Sequence, residues 1–365
     1  MQAPFEYEYE YEHAYEYEKD SQEGLMTSAN ETLLSVDDLR IHFHGEGPVS
    51  LAVDGIDVTV GPRETVCIVG ESGCGKTITA LAIMGLLPQP PAQIAGGRIF
   101  FKGQSLLDKS EGELRKLRGR EIAMIFQEPM TSLNPVFTIA DQISEAILAH
   151  EDISESEALQ RTTQLLQDVG IPDPEKRRNA YPHQLSGGQR QRAMIAMALA
   201  CGPDLIIADE PTTALDVTVQ AQILNLLRDL QRKRHMAIQY ITHDLGVVSA
   251  IADRVYVMYA GLIAEEGTTA HIFQSPRHPY TRALLESLPS REKRGQRLYS
   301  IPGNVPHPAY KPQGCPFHPR CKYRQAKCPQ FFPTLCDYGE GHRARCPILF
   351  ETEGPAGKTC EWKNL

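Results

Sequence analysis

The sequence predicts an α/β protein: a parallel sheet around a phosphate loop, a helical insertion, and a small Cys- and Pro-rich domain behind it. Three observations carry that expectation. The short run Thr65-Val66-Cys67-Ile68-Val69 feeds Gly70-Glu71-Ser72-Gly73-Cys74-Gly75-Lys76-Thr77, and a helical pattern follows at once. Apolar strand patterns return at 205–208 and 237–242 with one helix between them, which is the alternation of a parallel sheet. From about 128 to 200 the pattern is helical throughout.

The elements follow in order. Residues 31–69 show alternating strand patterns, as in Leu33-Leu34-Ser35-Val36 and Ile56-Asp57-Val58-Thr59-Val60, broken by Gly45, Gly47 and Gly61-Pro62. Residues 77–87 read as a helix closed by Pro88. Further helices are expected over 141–150, 154–169 and 189–200. Val219, Ile223, Leu226, Leu227 and Leu230 recur at helical spacing and mark one buried face. After about Gln274 the composition shifts towards Pro, Cys and Arg. The expected division is a tail over 1–30, a nucleotide-binding domain over 31–274, a small domain over 275–348 and a tail over 349–365. No internal repeat is present.

The chain's 365 residues leave room for one large domain and a small one. Net charge is −9, but the first 24 residues hold eight acids against Lys19 alone, so the rest is nearly neutral, with 38 acids and 36 bases. That balance argues against a nucleic-acid-binding surface spread over the domain. Lys176-Arg177-Arg178 and Arg232-Lys233-Arg234 read as solvated helix ends. No apolar stretch approaches the ~20 residues that span a bilayer, and the acidic N-terminus lacks the positive region of a secretory signal. A soluble chain is expected, carried to any membrane by other chains. The Tyr-Glu alternation from Phe5 to Glu18 has the period of a strand but no buried face, so it reads as disordered.

The phosphate loop carries the first chemistry. Gly70, Gly73 and Gly75 let the backbone approach phosphate without a Cβ in the way. Lys76 is expected to place its ammonium between the β- and γ-phosphates, and the Thr77 hydroxyl to ligate Mg²⁺. Glu71, Ser72, Cys74 and Ile78 complete the expected nucleotide-binding run. Asp209 closes the apolar strand 205–208 and is expected to hold Mg²⁺ through water, with Glu210 beside it. Gln127 has a side-chain carbonyl suited to Mg²⁺ or water.

A third motif, Leu185-Ser186-Gly187-Gly188-Gln189-Arg190-Gln191-Arg192, lies between these two. Phosphate loop, Leu-Ser-Gly-Gly-Gln and Asp-Glu, in this order, resemble the ATP-binding cassette ATPases, in which LSGGQ is the signature. The resemblance implies a RecA-like core with an antiparallel edge and a helical subdomain. It also implies that Ser186, Gly187, Gly188 and Gln189 bring backbone N–H groups and a helix N-terminus to the γ-phosphate held by an opposite subunit. On the same grounds Glu210 is the catalytic base for the attacking water, His243 is the switch histidine at the γ-phosphate, and Ala214-Leu215-Asp216 crosses to the partner. Phe43 or His44 would stack on adenine. Ile78 stands where a second hydroxyl residue is common, and its backbone N–H remains.

The run from Met124 to Pro135, the stretch from Ser275 to Leu284 and Ile301-Pro302-Gly303 resemble one branch, the ATPase subunits of oligopeptide and dipeptide importers. Nickel and glutathione importers are near relatives. The likeness covers about residues 33–348. It implies a peripheral subunit on the cytoplasmic face of the plasma membrane. A second cassette ATPase subunit, two transmembrane permease subunits and an extracytoplasmic peptide-binding protein would be its partners. The alternatives are the same motor serving nickel or glutathione, or a soluble cassette ATPase outside transport. Against the second, repair types need a long coiled coil and translation types two cassettes in one chain, and neither is expected in this sequence. Because family-like sequence begins at Leu33, Met26 is the expected translation start; a genuine extension is the alternative, and intact mass separates them.

Cys315, Cys321, Cys328 and Cys346 gather within 32 residues, with Cys336 among them. Stable disulfides are disfavoured in the cytosol, so the cluster points to metal or redox chemistry. This stretch resembles the C-terminal extension of peptide-importer ATPases, some of which carry a [4Fe–4S] cluster, and that cluster is the expectation here. Zn²⁺ also suits four thiolates, and the spacings match neither standard zinc fingers nor common ferredoxins. Unligated thiols in a docking module are the third reading. Cys336 is expected to be dispensable.

Overall fold

The computed structural model describes residues 32–128, 132–213, 215–289, 297–356 and 358–363. The acidic tail with Met26, the stretch 129–131 and Ala214 lie outside these residues.

Strands β1 (Leu34–Phe43) and β2 (Ser50–Val60) pair antiparallel, and β3 (Thr65–Val69) runs into the phosphate loop and helix α1 (Lys76–Ile83). Next come β4 (Ala92–Phe101), β5 (Gln104–Ser105), α2 (Glu111–Leu117) and β6 (Ile122–Ile125). The helical insertion holds α3 (Ile139–Leu148), α4 (Glu155–Asp168), the short α5 (Pro174–Arg177) and α6 (Gly187–Ala198). The core resumes with β7 (Leu205–Asp209), α7 (Val217–Arg234), β8 (Ala237–Thr242), α8 (Leu245–Ile251), β9 (Arg254–Tyr259) and β10 (Leu262–Thr268). The rest contains α9 (Thr269–Gln274), α10 (Pro279–Glu286), β11 (Phe332–Pro333), β12 (Cys336–Gly339), β13 (His342–Ala344), α11 (Pro347–Glu353) and β14 (Trp362–Lys363).

The main sheet runs β12-β13-β10-β9-β3-β8-β7-β6, and the strands from β9 to β6 are parallel. Every residue of β3, β7 and β8 is buried, as strands covered on both faces must be. Alternate residues serve opposite cores. Cys67 and Val69 join Ile206, Ala208 and the helices of the insertion. Val66 and Ile68 join Ile207 and the antiparallel sheet β2-β1-β4-β5, including Ile41, Val58 and Ile99. This alternation fixes the register of β3 and hence the direction in which its C-terminal loop leaves the sheet.

Helices start where the sequence supplies caps. Thr138 with Asp141 opens α3, Ser154 with Glu157 opens α4 and Ser186 with Gln189 opens α6, each as a reciprocal capping box. The α3 start lies two residues before the expected one, at the Thr138 cap. The phosphate-loop helix ends earlier than expected, at Ile83, where Gly85 turns left-handed (φ +62°) well before Pro88.

The region after 274 does not stand apart. β13 pairs with β10 through Glu265↔Ala344 and Glu266↔Arg343, so the extension lengthens the main sheet. His342 Nε2 lies 2.8 Å from the fully buried Glu265 carboxylate, and Arg343 Nε donates to Glu266 Oε1 at 2.6 Å. The expected tail over 349–365 includes most of α11 and also β14, which pairs with β11. Among the described residues no helix is long and apolar enough to cross a membrane.

Candidate active site at the phosphate loop

The carboxyl ends of β3, β6, β7 and β8 deliver the loop residues, Gln127, Asp209–Glu210 and His243 to one edge of the sheet. This is where open α/β sheets bind ligands. A cleft of about 710 Å³ opens there, lined by Gly70, Glu71, Ser72, Gly73, Gly75, Lys76, Thr77, Ile78, Gln127, Glu210, Thr213 and His243. Ala52, Leu284 and Pro308 add an apolar wall. Gly75 has φ +108°, and a Cβ there would come within 2.7 Å of the Ala52 carbonyl oxygen. Only glycine therefore fits where the loop turns into α1.

Lys76 is 5% exposed, and its ammonium donates to the carbonyls of Gly70 (2.7 Å) and Glu71 (3.2 Å). It lies 3.9 Å from Glu210 Oε1. A cation held by two carbonyls beside a cleft can turn to incoming phosphate oxygens without losing hydrogen bonds. The Thr77 hydroxyl donates to Asp209 Oδ1 at 3.1 Å. Burial raises the Asp209 carboxyl above its ordinary range, and the Thr77 bond works against that rise. These two oxygens, a hydroxyl and a carboxylate side by side, are hard donors of the kind Mg²⁺ takes.

Glu210 occupies the left-handed region (φ +44°), which is costly for a residue with a Cβ. Its N–H donates to the Ile241 carbonyl at 2.9 Å, which ties the strained turn to β8. Oε2 accepts from Gln127 Nε2 and from the Thr213 hydroxyl, both at 3.1 Å, and His243 Nδ1 stands 3.2 Å from Oε1. The carboxylate is thus aimed from four sides, counting Lys76, and faces the cleft. A base so oriented can address a water in line with a phosphate bound on the loop.

Other expected residues lie elsewhere. Phe43 pairs with Ser50 and Ala92 at the end of β1 and does not line the cleft. Cys74 is buried behind the loop, where burial raises its thiol pKa. Ser186 and Gln189 are bonded to each other as the cap of α6, with Gly187 and Gly188 in its first turn, away from this cleft. Asp216 Oδ1 accepts from Val219 N–H at 2.9 Å and caps α7. The sequence reading missed Thr213, which carries a hydroxyl three residues after Glu210. It also missed Leu284 and Pro308, which no local pattern connects to the loop, and Arg320, whose guanidinium grips Glu71 from the extension.

Cys315, Cys321, Cys328 and Cys346 line one small cavity, about 20 Å³, together with His278, Phe317 and Arg345. Burial and neighbouring thiols push Cys315 and Cys346 up to about 12, and burial pushes Cys321 up to about 11. The sulfur of Cys321 accepts from Tyr323 N–H and that of Cys328 from Gln325 N–H. Among the described residues no group of three or more His, Cys, Asp or Glu side chains is arranged to hold a metal ion. Cys336 is joined to Cys360 by a disulfide, at a Cα–Cα distance of 5.3 Å, against the expectation that disulfides are disfavoured here.

A phosphate loop on a RecA-like sheet, an aimed Asp-Glu pair and a helical insertion that starts at Leu-Ser-Gly-Gly-Gln define an ATP-binding cassette ATPase. Comparison with known proteins agrees. Residues 53–213 match the ABC transporter family and residues 264–328 match the oligopeptide/dipeptide transporter C-terminal region. A probable peptide ABC transporter ATP-binding protein of Sinorhizobium fredii is 52% identical over 317 residues, covering 87% of this chain and 95% of that protein. The dipeptide transport ATP-binding proteins DppD of Bacillus subtilis and Escherichia coli are 49% and 51% identical; they cover 87% and 88% of this chain, and 94% and 98% of their own lengths are matched. Among solved structures, the dimeric post-hydrolysis state of the cassette MJ0796 bound to ADP and Pi superposes with a TM-score of 0.59 at 26% identity, over 65% of this chain and 98% of that one. The CbiO1 subunit of a Clostridium perfringens ABC transporter gives 0.58 at 28% identity, over 67% and 92%. The chain belongs to the oligopeptide/dipeptide branch of the ABC transporter ATP-binding proteins, and it is an ATPase.

Proposed function

We propose that this chain is the ATP-hydrolysing subunit that energises import of peptides through an ABC transporter complex. The observation that carries the reading is the Glu210 carboxylate, aimed by Gln127, Thr213 and His243 beside Lys76, in a cleft whose relatives are named as peptide-transport ATP-binding proteins. Lys76 and the loop backbone take the phosphates, Thr77 and Gln127, with Asp209 through water, would hold Mg²⁺, and Glu210 orients and deprotonates the attacking water. Mg²⁺ supplies charge neutralisation between the phosphate oxygens when bound.

The complex has a second cassette ATPase subunit, two permease subunits and an extracytoplasmic peptide-binding protein, with this chain on the cytoplasmic face of the membrane. Support for the paired arrangement comes from the signature at the start of α6. Ser186 is exposed, Gly187, Gly188 and Gln189 are half-buried, and none of them lines this chain's own cleft, which leaves the signature open to a facing subunit. Uptake of labelled peptides and of nickel in a deletion strain tests the substrate: loss of peptide uptake with nickel uptake intact is expected, and the reverse overturns it.

The four thiols around the small cavity fit a [4Fe–4S] cluster, with Zn²⁺ as the alternative, in donor chemistry: they are soft ligands and no carboxylate lines that cavity. The side chains must close on an ion from where they stand. Such a centre would supply cross-links among the loops of the extension, and no step of ATP hydrolysis passes through it.

A further inference from the structure

Glu71 puts a carboxylate inside the loop that must receive a polyphosphate, and its side chain is one-third exposed on the cleft. An uncompensated anion there would repel the ligand. The compensation comes from far along the chain. Arg320 Nη1 and Nη2 donate to Glu71 Oε2 and Oε1 at 2.7 and 2.9 Å, a bidentate pair across 249 residues. Arg320 is itself fixed: Nε donates to the Pro302 carbonyl at 2.8 Å, the guanidinium lies over the Tyr259 ring, and the side chain is 5% exposed. The same residue of the loop is held twice more. Glu71 N–H donates to the Tyr280 hydroxyl at 2.9 Å, and its carbonyl accepts from Lys76. Tyr259, Tyr280 and Phe317 pack ring against ring, with centroids 4.7 to 5.4 Å apart, and join β9, α10 and the extension behind the loop.

We propose that Arg320 is a positioning residue for the phosphate loop: from the C-terminal extension it neutralises Glu71 and holds the loop in the shape that accepts the triphosphate of ATP. Arg320 does not line the cleft and acts through Glu71. The extension, whose four clustered cysteines line one cavity and begin five positions before Arg320, is thereby part of the ATP site. Displacing the 302–321 segment would release the Glu71 carboxylate towards the phosphates.

The inference rests on residues 70–77 being the nucleotide loop, so Lys76→Ala serves as the control for that reading. Mg-ATP affinity and the split between KM and kcat are measured on the full chain for Arg320→Gln, Arg320→Lys, Glu71→Gln and the double variant Glu71→Gln/Arg320→Gln. The charge argument gives opposite signs for the two halves of the pair. Arg320→Gln is expected to raise the ATP dissociation constant and KM by about tenfold, the effect of one lost charge-assisted bond, and to change kcat far less. Glu71→Gln is expected to bind ATP at least as tightly as the natural chain. The double variant should recover most of what Arg320→Gln lost, and Arg320→Lys should lie between. If both single variants weaken binding and the double is no better, Arg320 serves the fold alone and the proposal fails. It fails too if Arg320→Gln binds normally while Lys76→Ala does not. Normal binding in Lys76→Ala would instead overturn the loop assignment itself.

Discussion

His243 Nδ1 stands 3.2 Å from Glu210 Oε1, and the two residues come from the ends of adjacent parallel strands. The contact is possible because Glu210 is forced into a left-handed turn and its N–H is bonded to Ile241. Strain at the residue that must aim at water, offset by the neighbouring strand, is the local price of the geometry.

Glu210→Gln keeps that shape and removes basicity. It is expected to bind ATP normally and to lose turnover by about a hundredfold or more, as removal of a general base does. Lys76→Ala is expected to weaken ATP binding instead, by about tenfold or more, because it deletes a charge-assisted contact to phosphate. Both are measured as ATP affinity and hydrolysis in the assembled complex. Undiminished hydrolysis in Glu210→Gln would remove it from the role of base.

Ser186 is engaged with Gln189 at the start of α6 and does not face its own cleft. The isolated chain is therefore expected to hydrolyse ATP slowly, with specific activity rising with protein concentration or with added partner subunits. In a mixed complex, Ser186→Ala should impair hydrolysis at the partner's phosphate loop more than at its own. Full activity of a proven monomer, independent of concentration, would contradict the paired site.

Short-range signals made the central elements legible. The strand expected over 237–242 is observed with those bounds, because six consecutive buried positions between polar turns leave little else to form. Of the expected face of α7, Ile223, Leu227 and Leu230 are buried and Val219 and Leu226 are half-buried against the same core. Residues tied by long-range contacts were not legible. The β10–β13 pairing rests on β13, a three-residue strand His342-Arg343-Ala344 too short to show an alternation. Glu71 and Arg320 are an ion pair only because α10 and the extension fold back behind the loop. The boundary expected near 274 reflects a real change in composition, yet the sheet continues across it.

Burial, with the positive charge of Arg345 close by, depresses His278 to about 3 from its ordinary 6.5. Its Nδ1 accepts from Tyr280 N–H at 3.0 Å and caps α10, so the folded chain keeps the ring neutral. The unfolded chain takes up a proton below about 6.5 and the folded chain does not. Stability from this residue is thus complete above that pH and is lost as pH falls towards 3, by ~1.4 kcal/mol per pH unit. His278→Asn retains an acceptor at the cap and does not titrate. Urea unfolding at pH 7.5, 6.0 and 5.0 should show the natural chain losing ground to the variant step by step as acid is added. A constant difference would place the His278 pKa at its unfolded value.

Cys315, Cys321, Cys328 and Cys346 share one cavity although the first and last lie 31 positions apart, and three of the thiols are raised far above neutrality by burial. Thiols in that condition stay protonated unless a cation compensates them, so metal loading should release protons and tighten the extension. On the proposed [4Fe–4S] reading, anaerobically purified protein should be brown and contain iron held by thiolates. Cys315→Ser should abolish the colour and lower the unfolding temperature. Cys336→Ser should leave the iron in place, because Cys336 is joined to Cys360 and does not line the cavity. Colourless protein with stoichiometric zinc would assign the site to Zn²⁺. Protein free of both metals, with an unfolding temperature indifferent to Cys315→Ser, would leave four buried thiols that serve packing alone.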